Sequence, residues 1–353
     1  MSAGRASRTP VAVLGATGLV GQHLVRLLVH HPWLRLAEVV ASDGRAGHLY
    51  GDQVTWMAGG DVPADAAALR LKGTDDPLDS PVVLSALPAE IARWLEPELA
   101  GRGHRVSSNA SAHRMDPYVP LLVPEVNGSD VRRVEGQRWR RAGGALVTNP
   151  NCVVSGLAPV LAPLHRTWGV ESVTVATLQA LSGAGLSGPG ALAMAGNVIP
   201  WIAGEEEKIA AETRRLVGGE IRMQVAVTRV PVPHGHTAHL FVALAEDPGA
   251  GRVGDLLEGL APPGGVADLP SVPPRTLHVF REAGRPQPLL DVDRGGGMQI
   301  SVGGVRSVGP RQITLTVLSH NLVRGAAGAC LANAELLEVH TGAVPRALVR
   351  GTA

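Results

Sequence analysis

Residues 11–21 read VAVLGATGLVG, and this stretch decides the fold of the first half of the chain. Its apolar opening predicts a short buried strand, and the apolar pattern that follows predicts a helix. The glycines between them have the Gly-x-x-Gly-x-x-Gly spacing of a dinucleotide-binding turn. Gly15 permits the tight turn, Gly18 lets the backbone approach a pyrophosphate, and Gly21 lets helix and strand pack closely. The stretch therefore predicts a nucleotide-binding unit.

The same alternation continues through the first half, whereas the second half is rich in valine and threonine. In the first half, strands are predicted over 11–14, 36–41, 82–86, 105–107, 121–123 and 145–147, and helices over 19–29 and 90–100. This alternation predicts a parallel, doubly wound sheet of the Rossmann type. In the second half, strands are predicted over 171–180, 224–230, 239–245, 277–282, 299–305 and 313–319, and helices over 151–164, 205–217 and 322–340. These runs predict an α+β domain with a mixed or antiparallel sheet.

The composition sets the class of protein. The chain has 353 residues, a net charge of +1 and 45% hydrophobic residues, which suits two globular domains and argues against general nucleic-acid binding. No apolar run reaches the roughly 18 residues of a membrane helix, and no apolar segment follows the first arginines, so we expect neither a membrane span nor a secretory signal. The two cysteines exclude a disulfide scaffold and a Cys-x-x-Cys site, and we expect a cytoplasmic protein. Residues 250–274, with five prolines and five glycines, are predicted to be the loosest stretch.

The residues after the second predicted strand bear on the choice of nucleotide. Asp43 suits the ribose hydroxyls of NAD, whereas Ser42 and Arg45 suit the 2′-phosphate of NADP, and both interpretations stay open at this point. A short-chain reductase is excluded, because neither Tyr50 nor Tyr118 is followed by a lysine four residues later.

The sequence Asn149-Pro150-Asn151-Cys152 stands where a strand ends and an apolar helix begins. A cysteine at a helix N-terminus has its thiolate stabilised by the helix dipole, which is the environment of a nucleophile. The alternative is that Cys152 is a small buried hydrophobe, which is our interpretation of Cys330 in its alanine-rich helix.

A thiolate nucleophile needs a proton partner, and His234-Gly235-His236-Thr237-Ala238-His239 offers three histidines. This segment is open to three interpretations: a metal site, solvated turn residues or a catalytic base.

The charged residues at 205–208 and at Arg229 each allow a functional and a purely structural interpretation. The fork of Arg229 could hold a carboxylate, or the residue could be an ordinary surface arginine. The acids of 205–207 could simply complement a helix dipole, but they are followed by Lys208, one of only two lysines in the chain.

Taken in order, these motifs resemble the aspartate-semialdehyde dehydrogenase family, in the branch common in archaea and fungi. The resemblance covers nearly the whole chain. It is carried by GATGLVG at 15–21, SALP at 85–88, SN at 108–109 with HRM at 113–115, PEVN at 124–127, NPNC at 149–152, QALSGAG at 179–185, NVIP at 197–200, GEEEK at 204–208, RVPV at 229–232 with GHT at 235–237, and NLVRGAAG at 321–328.

The resemblance implies roles for these residues. Cys152 would attack the acyl carbon, His236 would be the acid/base, and Gln179 would orient the acyl intermediate. The substrate would be held by Arg229 on its carboxylate, by Glu205 on its amino group, and by Arg114, Asn109 and Lys208 on its phosphate. The cofactor would be NADP rather than NAD, no metal would be needed, and the cofactor residues would be Gly15, Thr17, Gly18, Leu19, Val20, Ser42, Arg45, Ser85, Ala86, Leu87, Ser182, Gly183, Gly185 and Asn321.

The implied organisation is discontinuous. Residues 1–150 and 320–353 would form the NADP-binding Rossmann domain, and 151–319 a catalytic and dimerisation domain in a homodimer or homotetramer. The implied reaction is the reductive dephosphorylation of L-aspartyl 4-phosphate to L-aspartate 4-semialdehyde through a cysteine thioester. It belongs to the biosynthesis of lysine, threonine and methionine.

Several positions depart from the family pattern: an arginine–serine pair is usual around Gly44 and Arg45, and lysine is usual near His48. Three further departures are Ser111 where lysine is usual, Gly304 in a region where arginine is usual, and His320 where aspartate is usual. They leave two alternatives open. One is a paralogue that reduces a different acyl phosphate or an acyl-CoA, as malonyl-CoA reductases do on the same scaffold. The other, from a different class, is a catalytically inactive nucleotide-binding regulator, against which the intact catalytic residues argue.

Overall fold

A computed structural model describes residues 8–344 of the chain, which form two compact units. The first unit joins the chain up to Pro120 with Asp130–Thr148 and with the chain from Cys330 onward. The second unit joins Leu121–Ser129 with Asn149–Ala329. The domain bounds predicted from the sequence stay a prediction, because compactness alone does not define a folding domain.

The first unit is built on a parallel sheet with the strand order β3-β2-β1-β4-β5-β6. The strands are β1 (Thr9–Leu14), β2 (Leu34–Val40), β3 (Leu71–Lys72), β4 (Val82–Ser85), β5 (Arg105–Ser108) and β6 (Ala145–Thr148). All residues of β4 and β6 are buried, as expected for strands covered on both faces. The order reverses between β1 and β4, and ligands of such sheets bind at this switch point, beyond the carboxyl ends of the strands. The predicted Rossmann-type fold is confirmed.

Among the described residues, four α-helices lie within the first unit, and a fifth ends in it. They are α1 (Leu19–Leu28), α2 (Tyr50–Gln53), α3 (Ala64–Ala67), α4 (Ala89–Gly101) and, at the end of the described chain, α11 (Gly328–Thr341). Helix α11 buries two carboxylates, each with a basic partner: Glu335 lies 2.8 Å from His31 Nε2, and Glu338 accepts hydrogen bonds from Arg105. These contacts tie the end of the chain to the parallel sheet.

The second unit is built on a mixed sheet with the strand order β10-β11-β12-β9-β7-β8. The strands are β7 (Val170–Gln179), β8 (Arg222–Arg229), β9 (His236–Leu244), β10 (Leu277–Val279), β11 (Ile300–Gly309) and β12 (Gln312–Ser319). The helices are α5 (Pro124–Asn127), α6 (Val154–Trp168), α7 (Ala191–Met194), α8 (Glu205–Val217), α9 (Gly249–Glu258) and α10 (Pro288–Asp291). Helix α6 is almost wholly buried and forms the centre of the hydrophobic core. The predicted α+β architecture is confirmed.

Two local predictions are wrong. The strand predicted over 121–123 is absent: Leu121 forms a single bridge, and Pro120 and Pro124 on either side lack the N–H that a ladder needs. The stretch 250–274 is not loose throughout, because α9 occupies its first third. The apolar residues Val253 and Leu257, four positions apart, are fully buried, and their packing outweighs the glycines.

The remaining differences concern the ends of elements. Helix α6 becomes regular at Val154 rather than at 151, and β9 begins at His236, three residues before the predicted strand. The last helix is preceded by a π-helical turn over Val323–Ala327. Within residues 8–344, no helix is long and apolar enough to cross a membrane.

A buried ion pair stabilises the second unit. Arg324 Nη1 donates to Glu125 Oε1 over 2.5 Å, and both side chains are at most 4% exposed. The Arg324 Nε also donates to the carbonyl of Ser155 in α6. The pair therefore connects α5, α6 and the π-helical turn.

We predict that Glu125→Ala destabilises the protein by about 3–5 kcal/mol, because removing one partner leaves a buried guanidinium without its counter-charge. The measurement is urea unfolding at neutral pH. Glu258→Ala is the matched control, since Glu258 pairs with Arg281 on the surface of the same unit, where such a pair is worth about 0–1 kcal/mol. Equal losses in the two variants would contradict the prediction.

Candidate active site

The glycine-rich turn has the geometry that its sequence predicts. Gly15 has φ +70°, and a Cβ there would lie 2.7 Å from the carbonyl oxygen of Ala86, which follows β4. A Cβ on Gly21 would lie 2.1 Å from the Gly15 carbonyl oxygen. Thr17 and Gly18 complete the turn, and Leu19 and Val20 begin α1. Side chains at the two tight positions would therefore separate β1, β4 and α1.

Residues predicted to bind phosphate lie beside this turn. Asn109 follows β5, and its Nδ2 donates to the carbonyl of Ser85 over 2.8 Å. Arg114 is buried, and its Nη2 donates to the carbonyl of Asn109 over 2.6 Å. Leu87 continues the chain after Ala86 at the same edge of the sheet. The first unit thus groups these residues around the ends of β1, β4 and β5.

The turn after β2 separates the two signals for nucleotide choice. Asp43 Oδ1 accepts hydrogen bonds from the backbone N–H and the hydroxyl of Thr74, at 3.0 and 3.1 Å. Ser42 and Arg45 are exposed. The carboxylate that would favour NAD is therefore engaged within the protein.

In the second unit, three predicted residues meet at one edge of the mixed sheet. Gln179 ends β7 and Arg229 ends β8, and the two are direct partners in the parallel ladder. His236 begins β9, which runs antiparallel to β7, and it pairs with Ser319 at the end of β12. The carboxyl ends of three strands and the amino end of a fourth therefore share this edge. All three predicted side chains are buried.

The environment of His236 determines its protonation. Its Nδ1 accepts a hydrogen bond of 3.0 Å from the backbone N–H of Ala180. Burial lowers the pKa of His236 to about 3, with smaller contributions from Arg229 and His320. The ring is therefore neutral at physiological pH, and its proton resides on Nε2 because Nδ1 is an acceptor. Nε2 is buried and has no hydrogen-bond partner among the described residues.

Arg229 shares its surroundings with His236. Its Nη1 donates to the carbonyl of Ala180 over 2.7 Å, so a single residue's backbone holds both side chains. Burial lowers the pKa of the guanidinium, while the charges of Cys152 and Glu205 raise it. Gly183 packs against both: a Cβ there would lie 2.7 Å from Arg229 Nη1 and 3.1 Å from His236 Nε2.

Cys152 lies in the turn that opens α6. Asn151 caps this turn, since its Oδ1 accepts from the N–H of Val153 and its carbonyl from the N–H of Ser155, each over 2.9 Å. Cys152 is partly exposed. A Cβ on Gly325 would lie 2.6 Å from the Cys152 Cβ, so only glycine fits there. Position and exposure favour the nucleophile interpretation.

The second cysteine fits the other interpretation. Cys330 is buried in α11, and burial raises the pKa of its thiol to about 12. It is a small core residue rather than a reactive thiol.

Helix α8 places Glu205 and Lys208 in its first turn. Glu205 Oε2 accepts a hydrogen bond of 2.8 Å from the Nδ2 of Asn151, and its Oε1 lies 3.6 Å from Lys208 Nζ. Glu205 therefore does more than interact favourably with the dipole of α8. Glu205 contacts the turn that carries Cys152.

A polar network joins two predicted cofactor residues of the second unit. Asn321 Nδ2 donates to Ser182 Oγ over 2.8 Å, and its Oδ1 accepts from the N–H of Gly235. His234 Nδ1 lies 3.0 Å from the same Ser182 oxygen. Gly185 ends this segment with φ +72°. Within residues 8–344, no three His, Cys, Asp or Glu side chains are grouped to hold a metal, and the absence of a metal stays a prediction.

The structure accounts for two of the three further departures from the family pattern. His320 Nδ1 accepts from the N–H groups of Leu322 and Val323 at 3.2 and 3.3 Å, a capping role that a carboxylate oxygen also performs. Gly304 has φ +61°, a conformation in which arginine would be strained. Ser111 begins a single turn before Arg114, and nothing in its contacts explains the substitution.

Sequence reasoning missed three residues at this site. Ala180 acts through its backbone, which leaves no signal in residue type. Gly325 stands in a helical stretch whose approach to Cys152 only the fold reveals. Glu212 is 2% exposed and accepts a hydrogen bond from the N–H of Asn151, and its spacing of seven residues from Glu205 could have revealed it.

Two family models match the chain. "Semialdehyde dehydrogenase, NAD binding domain" matches residues 10–134, and "Semialdehyde dehydrogenase, dimerisation domain" matches residues 161–324. The aspartate-semialdehyde dehydrogenase of Archaeoglobus fulgidus is 42% identical over 341 residues, covering 94% of this chain and 98% of the relative. A malonyl CoA reductase (NADP) of Metallosphaera sedula is 35% identical, covering 92% and 97%.

Solved structures give the same result. The crystal structure of aspartate semialdehyde dehydrogenase with NADP from Candida albicans has a TM-score of 0.87 and 32% identity, covering 96% of this chain and 100% of that one. The resemblance stated from the sequence is thereby confirmed. The chain belongs to the semialdehyde dehydrogenase family of oxidoreductases.

Proposed function

We propose that this protein is an NADP-dependent aspartate-semialdehyde dehydrogenase, which converts L-aspartyl 4-phosphate to L-aspartate 4-semialdehyde through a thioester on Cys152. The observation that carries the proposal is the shared geometry of the site: Ala180 holds both Arg229 and His236, and Glu205 accepts a hydrogen bond from Asn151, the residue before Cys152. A cation, a carboxylate and a thiol in mutual range complement the carboxylate, amino group and acyl carbon of one amino-acid substrate.

The first unit fits a dinucleotide. The Gly15–Gly21 turn leaves no room for side chains at its two tight positions, and it leads into the N-terminus of α1, where backbone N–H groups favour a pyrophosphate. Ser42, Asp43 and Arg45 are all exposed, and one carboxylate oxygen of Asp43 already accepts hydrogen bonds from Thr74, which supports NADP over NAD. When bound, reduced NADP supplies the hydride.

The residues of the second unit support a two-step reaction. In the first step, the Cys152 thiolate attacks the acyl carbon, a C–S bond forms, and the C–O bond to phosphate breaks. Arg229 and Glu205 orient the substrate by its carboxylate and amino group, and Gln179 orients the acyl group. Asn109, Arg114 and Lys208 are the proposed phosphate ligands. Hydride addition to the thioester then gives a tetrahedral species, which releases the aldehyde and the thiolate.

The neutral His236 ring suits the second step. The Nε2–H group of His236 is buried and has no hydrogen-bond partner among the described residues. It can therefore donate a hydrogen bond to the acyl oxygen, which becomes negative in the tetrahedral species. A permanently charged imidazolium beside Arg229 would add a second buried cation. The low pKa of His236 therefore supports a neutral hydrogen-bond donor, which stabilises the negative oxygen without giving up its proton.

A second candidate substrate is an acyl-CoA. It is supported by the relative named malonyl CoA reductase (NADP) and by Ser111, which lacks the charge that the family usually offers to phosphate. In this case the same Cys152 thioester would form with loss of coenzyme A. An inactive nucleotide-binding regulator is the alternative of another class.

The outer face of the mixed sheet supports a homo-oligomer. Residues on β7 alternate between buried and exposed, and Leu178 and Phe241 on neighbouring strands are 39% and 53% exposed. The opposite face is covered by the core around α6. An exposed apolar sheet face is typical of an interface, and the dimerisation family model spans these strands.

We predict that Cys152→Ala abolishes NADPH formation from L-aspartate semialdehyde, phosphate and NADP, whereas Cys330→Ala retains it. The reason is that Cys152 is partly exposed in the turn that opens α6, whereas Cys330 is buried. The measurement is absorbance at the nicotinamide band. Turnover of malonate semialdehyde with coenzyme A, but not of aspartate semialdehyde with phosphate, would favour the acyl-CoA alternative. NADP binding without turnover of either would favour the regulator.

We predict that the pH profile of kcat has no limb between pH 5 and 7 that arises from His236, because burial lowers the pKa of this residue to about 3. Between pH 5 and 7 the His236 side chain is therefore neutral throughout and neither gains nor loses a proton. His236→Ala should reduce kcat by about 10²–10³-fold, as the loss of one oxyanion donor does. His236→Gln, which keeps an N–H, should retain part of the rate. A limb near pH 6.5 that disappears in His236→Gln would contradict this assignment.

We predict that Phe241→Glu shifts the protein to monomers, because a charge at the centre of the apolar face opposes its burial. Size-exclusion chromatography with light scattering measures the mass. Leu289→Glu is the control, since Leu289 is 91% exposed and lies outside this sheet. An unchanged mass for Phe241→Glu would place the interface elsewhere.

A further inference from the structure

The inner face of α8 carries two carboxylates that bind the same residue. Glu205 and Glu212 are seven positions apart, which is two helical turns, so they project in nearly the same direction. Glu205 accepts from the Nδ2 of Asn151, and Glu212 Oε2 accepts from its backbone N–H over 2.5 Å. Glu212 is 2% exposed, whereas Glu207 between them is exposed.

Asn151 is thereby held at four atoms. Besides the two bonds to α8, its Oδ1 accepts from Val153 and its carbonyl oxygen accepts from Ser155. Cys152 is the next residue in the chain, so the orientation of the Asn151 peptide determines where the thiol points. Of the four bonds, the one to Glu212 is the shortest, and it is buried.

The buried carboxylate of Glu212 accepts a hydrogen bond from the peptide N–H that precedes the nucleophile. Moving a carboxylate out of water opposes folding, and an apolar residue would pack this face of α8 at lower cost. Its neighbours Ile209 and Leu216 do so. The retained charge therefore indicates a role beyond packing.

We propose that Glu212 is a positioning residue for the nucleophile: it holds the Asn151 peptide so that Cys152 faces the substrate, and its negative charge limits the ionisation of the thiol. This inference rests on the proposed function of Cys152. Among the described residues, charged groups from three elements border the nucleophile turn: Glu205 and Glu212 from α8, Arg229 from β8, and Arg324, which donates to the carbonyl of Ser155 and is paired with Glu125. Arg229, at the end of β8, favours the thiolate, whereas Glu205 and Glu212, both from α8, oppose it.

The test uses thiol alkylation, which needs no substrate. In a Cys330→Ala background, the rate of Cys152 alkylation by iodoacetamide is measured against pH for the parent, Glu212→Gln, Glu212→Ala and the control Glu207→Gln. Glutamine keeps an acceptor oxygen without the charge, and alanine removes both. Values of kcat and KM for aspartate semialdehyde are measured in parallel.

We expect the alkylation profile of Glu212→Gln to move to lower pH, and its kcat to fall less than that of Glu212→Ala because glutamine keeps the acceptor oxygen. Glu212→Ala should lose kcat by about 10–100-fold with little change in KM, because the nucleophile is misplaced while substrate binding remains. Glu207→Gln should match the parent in both assays.

Parental alkylation profiles in both Glu212 variants would overturn the proposal. If Glu212→Ala does not fold, the alkylation profile of Glu212→Gln decides between the outcomes. A shift to lower pH supports the proposal, and an unchanged profile contradicts it. A shifted profile in a protein that turns over no aspartate semialdehyde would contradict the proposed function and leave the role of Glu212 intact.

Discussion

The guanidinium of Arg229 is buried at one edge of the mixed sheet, and a buried cation costs free energy unless acceptors and opposite charges offset that cost. The carbonyl of Ala180 supplies the acceptor, and Cys152 and Glu205 supply the opposite charges. The arrangement of the site follows from this requirement. A thiol that ionises beside Arg229 is stabilised there, and a substrate carboxylate would meet the same cation.

The same burial makes His236 neutral. A second cation beside Arg229 would be costly, and the N–H of Ala180 occupies Nδ1, so the remaining proton resides on Nε2. The backbone of Ala180 therefore sets the tautomer of His236 and the orientation of Arg229. Gly183, three residues later, leaves the space that both side chains occupy. Electrostatics and backbone sterics are here parts of one constraint.

The nucleophile turn is stabilised by polar contacts rather than by apolar packing alone. Helix α8 contributes two carboxylates to Asn151, while Gly325 brings the π-helical turn against Cys152 without a side chain between them. The buried pair of Arg324 and Glu125 connects that turn to α5 and α6. Elements far apart in sequence thus converge on one thiol.

The sequence by itself determined the two-unit α/β and α+β architecture, the glycine turn, and the identity of Cys152, Gln179, Arg229 and His236 as residues of interest. It could do so because hydrophobic periodicity, glycine sterics and motif spacing are local properties. It misplaced a strand between two prolines and missed α9, where packing outweighed local composition. Only the tertiary structure decided the tautomer of His236, the contact of Gly325 with Cys152 and the bond from Asn151 to Glu212, 61 residues away. These three features depend on backbone atoms and on residues that strand register and helix packing bring together. The residue types along a single sequence do not reveal such contacts.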